Sequence, residues 1–185
     1  CKTNHLRTIQ VQQAVATATA NFAVVDSGAD TCLLGEEFHI LHQDTMRTVE
    51  VLGFNNEQGK ETGKHLGSGI CAMDLPSNET ILLQVNEGVV MQTGKTLLSV
   101  NQVRHFGHTV DDCPRQYGGT QAITTTHGHI LPLSYRSALC RITLRKPTKK
   151  ELDSYIPEEL TNPMPWNPTL EYDSDPSFDH NLANV

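Results

Sequence analysis

Aromatic side chains are scarce in this 185-residue chain: they fill 5% of positions, and only one is a Trp. Long apolar runs are missing as well, so no segment supplies the roughly 18 successive apolar residues that a membrane-spanning helix needs. The five cysteines, at 1, 32, 71, 113 and 140, are odd in number and never form C-x-x-C. That pattern fits neither a disulfide scaffold nor a zinc ribbon, and it points to a reducing, intracellular setting. No stripe of Lys and Arg runs along the chain, so direct nucleic-acid binding is not expected. The opening CKTNHLRTIQVQQ has neither the apolar centre of a signal peptide nor an initiator Met. The expectation is a piece of a longer polypeptide without a secretory leader, and the glycosylation pattern Asn78-Glu79-Thr80 then reads as chance.

Basic residues are also absent from one whole region. Residues 151–185 hold eight acids and no Lys or Arg, whereas residues 1–150 hold all fourteen Lys and Arg against thirteen acids. The net charge of −7 therefore divides into +1 and −8, and six of the nine prolines lie beyond residue 146. Such a composition repays poorly the entropy lost on ordering. Residues 146–185 accordingly read as an irregular, acidic, Pro-rich tail or linker, with Trp166 in NPMPWNPTL docking locally. Residues 1–20 form an N-terminal segment, and the remainder, 21–145, suffices for one domain.

That body reads as mainly β. Candidate strands rich in Val, Ile, Thr and Leu span 21–25, 31–34, 48–52, 64–73, 80–90, 120–126, 130–135 and 139–144, with two more, 5–11 and 14–20, ahead of them. Turn signals such as LPSNE, NEG, QTG and THGH separate them. Many short strands at close spacing predict a sandwich or barrel and not a βαβ sheet. One stretch, LLSVNQVRHFG, carries a helical stripe over 99–106, with Ser99 as N-cap and Gly107 as the stop.

The chemistry-bearing stretch is FAVVDSGADTCLLG, residues 22–35. Two β-branched residues run straight into Asp26, Ser27, Gly28, Ala29 and Asp30 before apolar residues resume at Cys32, Leu33 and Leu34. A carboxylate between two apolar strands is costly unless it is hydrogen-bonded or serves a purpose. Taken alone the stretch reads equally as a tight turn, with Asp and Ser bonding the backbone, or as an active-site loop.

Position adds to this. VEVLGF follows about twenty-five residues after Asp26, and GKTLLSVNQ feeds a Gly and apolar residues directly into the helix. The order of acid loop, hairpin, two long strands, Gly-x-x-Leu-Leu and helix resembles the retropepsins, the aspartic proteases of retroviruses and retrotransposons. DSGADTCLLG, VEVLGF, ILLQVNEGVV, TLLSVNQVRHFG, GGTQ, ILPL and LRKPTKKEL together look like the protease region of copia-type LTR retrotransposon polyproteins. The resemblance covers about residues 20 to 170.

It implies a retropepsin-like acid-protease barrel over 21–145 with a C-terminal β extension. It also implies an aspartic endopeptidase that cleaves its own polyprotein, in the cytoplasm or within a virus-like particle, without metal or cofactor. Such chemistry needs two carboxylates sharing one proton, and the chain holds a single Asp-Ser-Gly. The resemblance therefore implies a homodimer in which Asp26 meets its symmetry mate at a two-fold axis. Ser27 would bond across that axis, while Gly28 and Ala29 leave room for substrate backbone. Asp30 would accept a hydrogen bond from the substrate, although a plain turn-capping role stays open. Gly53 and Phe54 would lie near the tip of a closing flap, or of an ordinary hairpin. Gly94 would pack behind the acid loop, with Leu97 and Leu98 in the core. Residues 108–144 would form a hairpin and a final strand that supplies the dimer interface. The alternative from a different class is a non-catalytic retropepsin-like dimerisation or scaffolding module.

Other clusters say less. His127-Gly128-His129 sets two imidazoles two residues apart, but no carboxylate or thiol stands near in sequence at ligand spacing. No Ser or Cys sits on a nucleophile elbow, and Cys32 reads as a small buried hydrophobe.

Overall fold

The computed structural model describes residues 22–52, 60–91 and 94–169, and within them the chain is mainly β. Chain order begins with β1 (Phe22–Asp26), β2 (Leu33–Leu34), β3 (His39–Leu52), β4 (Lys60–Asp74), β5 (Thr80–Val90) and β6 (Leu97–Ser99). There follow α1 (Val100–His105), β7 (Thr109–Asp111), β8 (Ala122–Thr124), β9 (Ile130–Pro132), β10 (Ser134–Arg136) and β11 (Leu139–Thr143). The last elements are α2 (Lys149–Ser154) and β12 (Glu158–Glu159). The main sheet runs β10-β11-β1-β6-β2-β5-β4-β3, and β12 adds to β5; a second sheet is β7-β8-β9.

Strand β1 shows how the sequence selects this arrangement. Its side chains alternate, with Ala23 and Val25 buried and Phe22, Val24 and Asp26 half-buried, as expected of a strand whose two faces differ. It pairs antiparallel with β11, Ala23 opposite Ile142, and parallel with β6, Asp26 opposite Ser99. The end of β1 is thereby set beside the start of α1. Ser99 caps that helix, its hydroxyl accepting the Gln102 N–H at 3.1 Å, and Gly107 follows the helix at φ +90°, a conformation glycine adopts without penalty.

The core gathers Val25, Leu34, Leu83, Val85, Leu98 and Ile142 from β1, β2, β5, β6 and β11, with Val103 from α1. β2 packs where β5 has Gly88: a Cβ there would come within 2.8 Å of the Leu34 side chain.

Several expectations are corrected. Among the described residues there are two α-helices and not one. The third strand begins at His39, nine residues before the anticipated Thr48, because its polar, bulged first half lacks the alternation that marks a strand. The stretch 130–135 is two strands split at Leu133. Strand β11, which ends the region 108–144, lies between β10 and β1 of its own chain.

The largest correction concerns the irregular tail. From Thr148 to Thr161 the chain is ordered. Thr148 and Glu151 form a capping box at the start of α2. β12 pairs parallel with β5, Glu158 opposite Leu83, and Leu160 is fully buried, worth about 2 kcal/mol in apolar transfer. Counting charge by segment missed this because the acids find their partners elsewhere. Glu151 takes Arg145 at 2.7 Å, and Glu158 takes His127 and His129 at 2.9 Å each. The anticipated strands 5–11 and 14–20, and residues 170–185, lie outside the described residues.

Candidate active site

Asp26 closes β1 half-buried, and its Oδ1 accepts the Gly28 N–H at 2.8 Å. Ser27, Gly28 and Asp30 are exposed and Ala29 is half-buried, so the acid loop lies on an open face with its carboxylate accessible. Gly28 is not required by its backbone angles; among the described residues a Cβ there would meet only Asp26 Oδ1, at 3.3 Å.

The loop is held from behind by the β6–α1 junction. Ser99 Oγ donates to the Ala29 carbonyl at 2.7 Å, and Asn101 Nδ2 donates to the Ser27 carbonyl at 3.1 Å. The fully buried Gln102 amide reaches two ways. Its Oε1 accepts the Cys32 N–H at 2.8 Å and its Nε2 donates to the Glu87 carbonyl at 3.2 Å. Three side chains of one short segment thus satisfy backbone groups that a β-strand leaving its sheet would otherwise strand. Cys32 closes the loop as a buried thiol whose pKa desolvation pushes up to about 12, against the lowering effect of the Ser99 N–H; it is protonated and inert as a nucleophile at neutral pH. Gly94, expected behind this loop, is exposed and lies by Gly35 instead, its carbonyl accepting the Glu36 N–H at 3.1 Å. The backing falls to Thr96, whose carbonyl takes the Val24 N–H, and to the buried Leu98; Leu97 is half-buried.

Beside the acid loop opens a cleft of about 410 Å3. Leu33, Val49, Val51, Leu66 and Val89 give it aliphatic walls from β2, β3, β4 and β5, Asp30 stands at its side, and Trp166 and Pro168 close it. The β3–β4 hairpin is tied to the floor by Arg47, which grips Glu87 through two bonds of 2.8 and 2.7 Å and Asp44 through a third of 2.7 Å. Those carboxylates hold the guanidinium charged, the Glu87 bonds first, and Arg47 in turn holds the Asp44 pKa below the usual carboxylate range. Gly53 and Phe54, expected near the tip of this hairpin, lie outside the described residues.

Comparison of the chain with protein-family models, with curated proteins and with solved structures finds no match. The chemistry of the site therefore rests on its own geometry.

The structure brings Asp26, Ser27, Gly28, Ala29 and Asp30 into one exposed loop and adds residues that sequence reasoning did not single out. Asn101 and Gln102 lie in a stretch read as an amphipathic helix, where a fully buried Gln with two backbone partners carries no local signal. Trp166 was expected to dock, and it does so against the site: its Nε1 donates to the Asp30 carbonyl at 2.9 Å, and its ring lies 4.9 Å from His105.

A second polar cluster lies elsewhere. His127 Nδ1 and His129 Nδ1 each lie 2.9 Å from a different oxygen of the buried Glu158 carboxylate. The carboxylate missing from the neighbourhood in sequence thus arrives on β12. Burial works against its charge, but the bonds from His127, Thr125 and His129 outweigh this and leave its pKa below the ordinary range. No group of three or more His, Cys, Asp or Glu suited to a metal ion occurs among the described residues. None of the described helices is long and apolar enough to cross a membrane.

Proposed function

We propose that this chain is one half of an aspartic endopeptidase of retropepsin type, a retropepsin-like barrel acting as a homodimer on an extended peptide of its own polyprotein. The observation that carries the reading is the accessible Asp26 carboxylate at the start of a loop clamped by Ser99, Asn101 and Gln102, whose far end, at Asp30 and Thr31, lines an aliphatic cleft that Asp26 itself does not line. A turn that merely reverses the chain needs neither a rigid platform nor a neighbouring apolar groove.

In the dimer the two Asp26 carboxylates sit about 3 Å apart and share a proton, since like charges so close cannot both ionise. The charged member takes a proton from a water as that water attacks the scissile carbonyl, and the protonated member donates to the carbonyl oxygen. Catalysis thus needs one charged and one protonated member at the same time. Ser27, exposed next to the acid, bonds across the axis; Asp30 receives substrate main chain; the β3–β4 hairpin, with Gly53 and Phe54 towards its tip, closes over the peptide.

The test is cleavage of unfolded casein at mildly acidic pH by the wild-type chain and by Asp26→Asn. The isosteric amide is expected to remove cleavage by about a thousandfold or more while leaving the fold and the dimer intact. Cleavage that survives the substitution contradicts the reading. A wild-type dimer that neither cuts casein nor binds pepstatin favours the scaffolding module instead.

A further inference from the structure

The segment after α2 is anchored far more firmly than a linker needs. Leu160 N–H donates to the Gln84 carbonyl at 2.8 Å, and Thr161 exchanges three bonds with Asn86: Asn86 N–H to Thr161 Oγ1 at 2.7 Å, Asn86 Nδ2 to the Thr161 carbonyl at 2.6 Å and Thr161 Oγ1 to the Asn86 carbonyl at 2.7 Å. From this anchor the strap runs to Trp166. There the backbone N–H reaches Glu87 Oε2 at 3.4 Å, the indole N–H reaches the Asp30 carbonyl, and the ring meets His105 and Phe106 at the end of α1. One residue thus touches the acid loop and the helix behind it through its side chain, and the floor of the cleft through its backbone N–H. Trp166 lines the cleft and leaves about 410 Å3 of it open, at the lower end of the range for pockets that hold a ligand. That places it as a wall and not as a plug.

We propose that Trp166 is a specificity-determining residue: the C-terminal strap completes a subsite next to Asp30 for one large aliphatic side chain of the bound peptide. The inference rests on the endopeptidase reading. The chemical class follows from the balance of the lining: five aliphatic side chains and an indole face reward an apolar group and outnumber the polar Asp30, Thr31, Glu50 and Glu87, of which Glu87 is already occupied by Arg47 and Trp166. The indole N–H is spent on Asp30, so the ring offers its apolar face to the substrate, and the same bond fixes the acid loop next to the subsite.

The sequence contains a single Trp, so emission from the folded chain reports this wall without background. The experiment titrates pepstatin A, a peptide analogue with branched aliphatic side chains, into the full chain at mildly acidic pH. Binding is followed by calorimetry and by Trp166 emission for the wild type, and by calorimetry for Trp166→Phe and Trp166→Ala. The expected result is a change of Trp166 emission on binding, affinity weakened about tenfold or more in Trp166→Ala, and most of it restored in Trp166→Phe. With casein, KM rises in Trp166→Ala while kcat is largely kept. Unchanged affinity in the Ala variant, or wild-type binding without any change in emission, overturns the wall; tighter binding in the Ala variant means that the strap is a plug. Should Trp166→Ala fail to fold, Trp166→Phe and the wild-type emission still decide. If pepstatin leaves no calorimetric signal and casein is uncut, the endopeptidase reading has failed and this inference falls with it.

Discussion

Gly28 and Gln102 mark the two sides of the acid loop, one facing solvent and the other sealed behind it. A Cβ at position 28 presses on Asp26 Oδ1 at 3.3 Å and on nothing else among the described residues. Gly28→Ala is therefore expected to lower casein cleavage by about tenfold or more with little change in Tm; an equal loss of both would place the glycine's role in the fold. Gln102 makes the opposite case. Its amide satisfies the Cys32 N–H and the Glu87 carbonyl where no water reaches. Gln102→Ala leaves two buried backbone groups unpaired, and the expected cost is about 2 to 4 kcal/mol in urea unfolding. At this scale the acid loop was legible, because an Asp, a small polar residue and a Gly after a β-branched pair is a local pattern. Gln102 was not, because its partners lie 70 and 15 positions away.

Short elements here are fixed by capping and by pairing more than by length. Helix α1 spans six residues, yet its start was readable from Ser99 and its stop from Gly107. Strand β5 was readable to the residue from its apolar run. The first half of β3, with Leu41 and Met46 exposed and two of the strand's three register shifts against β4, has no periodicity to read. Helix α2 and strand β12 were hidden for another reason: what orders them is a set of donors outside their own segment. Arg145 clamps Glu151 and Asp74 at 2.7 Å, and the Arg145 bond, followed by the Thr148 N–H, lowers the Glu151 pKa to about 2. A carboxylate depressed in the folded state contributes stability that is complete above its unfolded value, about 4.3, and that is lost as pH falls towards 2. Glu151→Gln should therefore lower Tm at pH 7, and the gap to the wild type should narrow steadily from pH 5 to pH 2. A gap independent of pH would assign the effect to the capping geometry alone.

At the scale of the whole molecule the acidic segment packs against the body through β12, Leu160, Thr161 and Trp166. The strap crosses from β5 to the acid loop, so the side of the sheet that holds Asp26 is built from both ends of the described chain. Charge and proline content separated the two in sequence because neither quantity records a buried Leu160 or a Thr161 bonded to Asn86. On the proposed reading the partner carboxylate of Asp26 comes from a second copy of the chain, the source that two-fold symmetry provides. The most direct measurement mixes wild-type chain with a ninefold excess of Asp26→Asn chain, allows exchange, and records casein cleavage per wild-type chain. If each active centre takes one Asp26 from each protomer, random pairing leaves about one tenth of the activity. Activity that stays proportional to the wild-type chain, whatever the excess of variant, would contradict a shared pair.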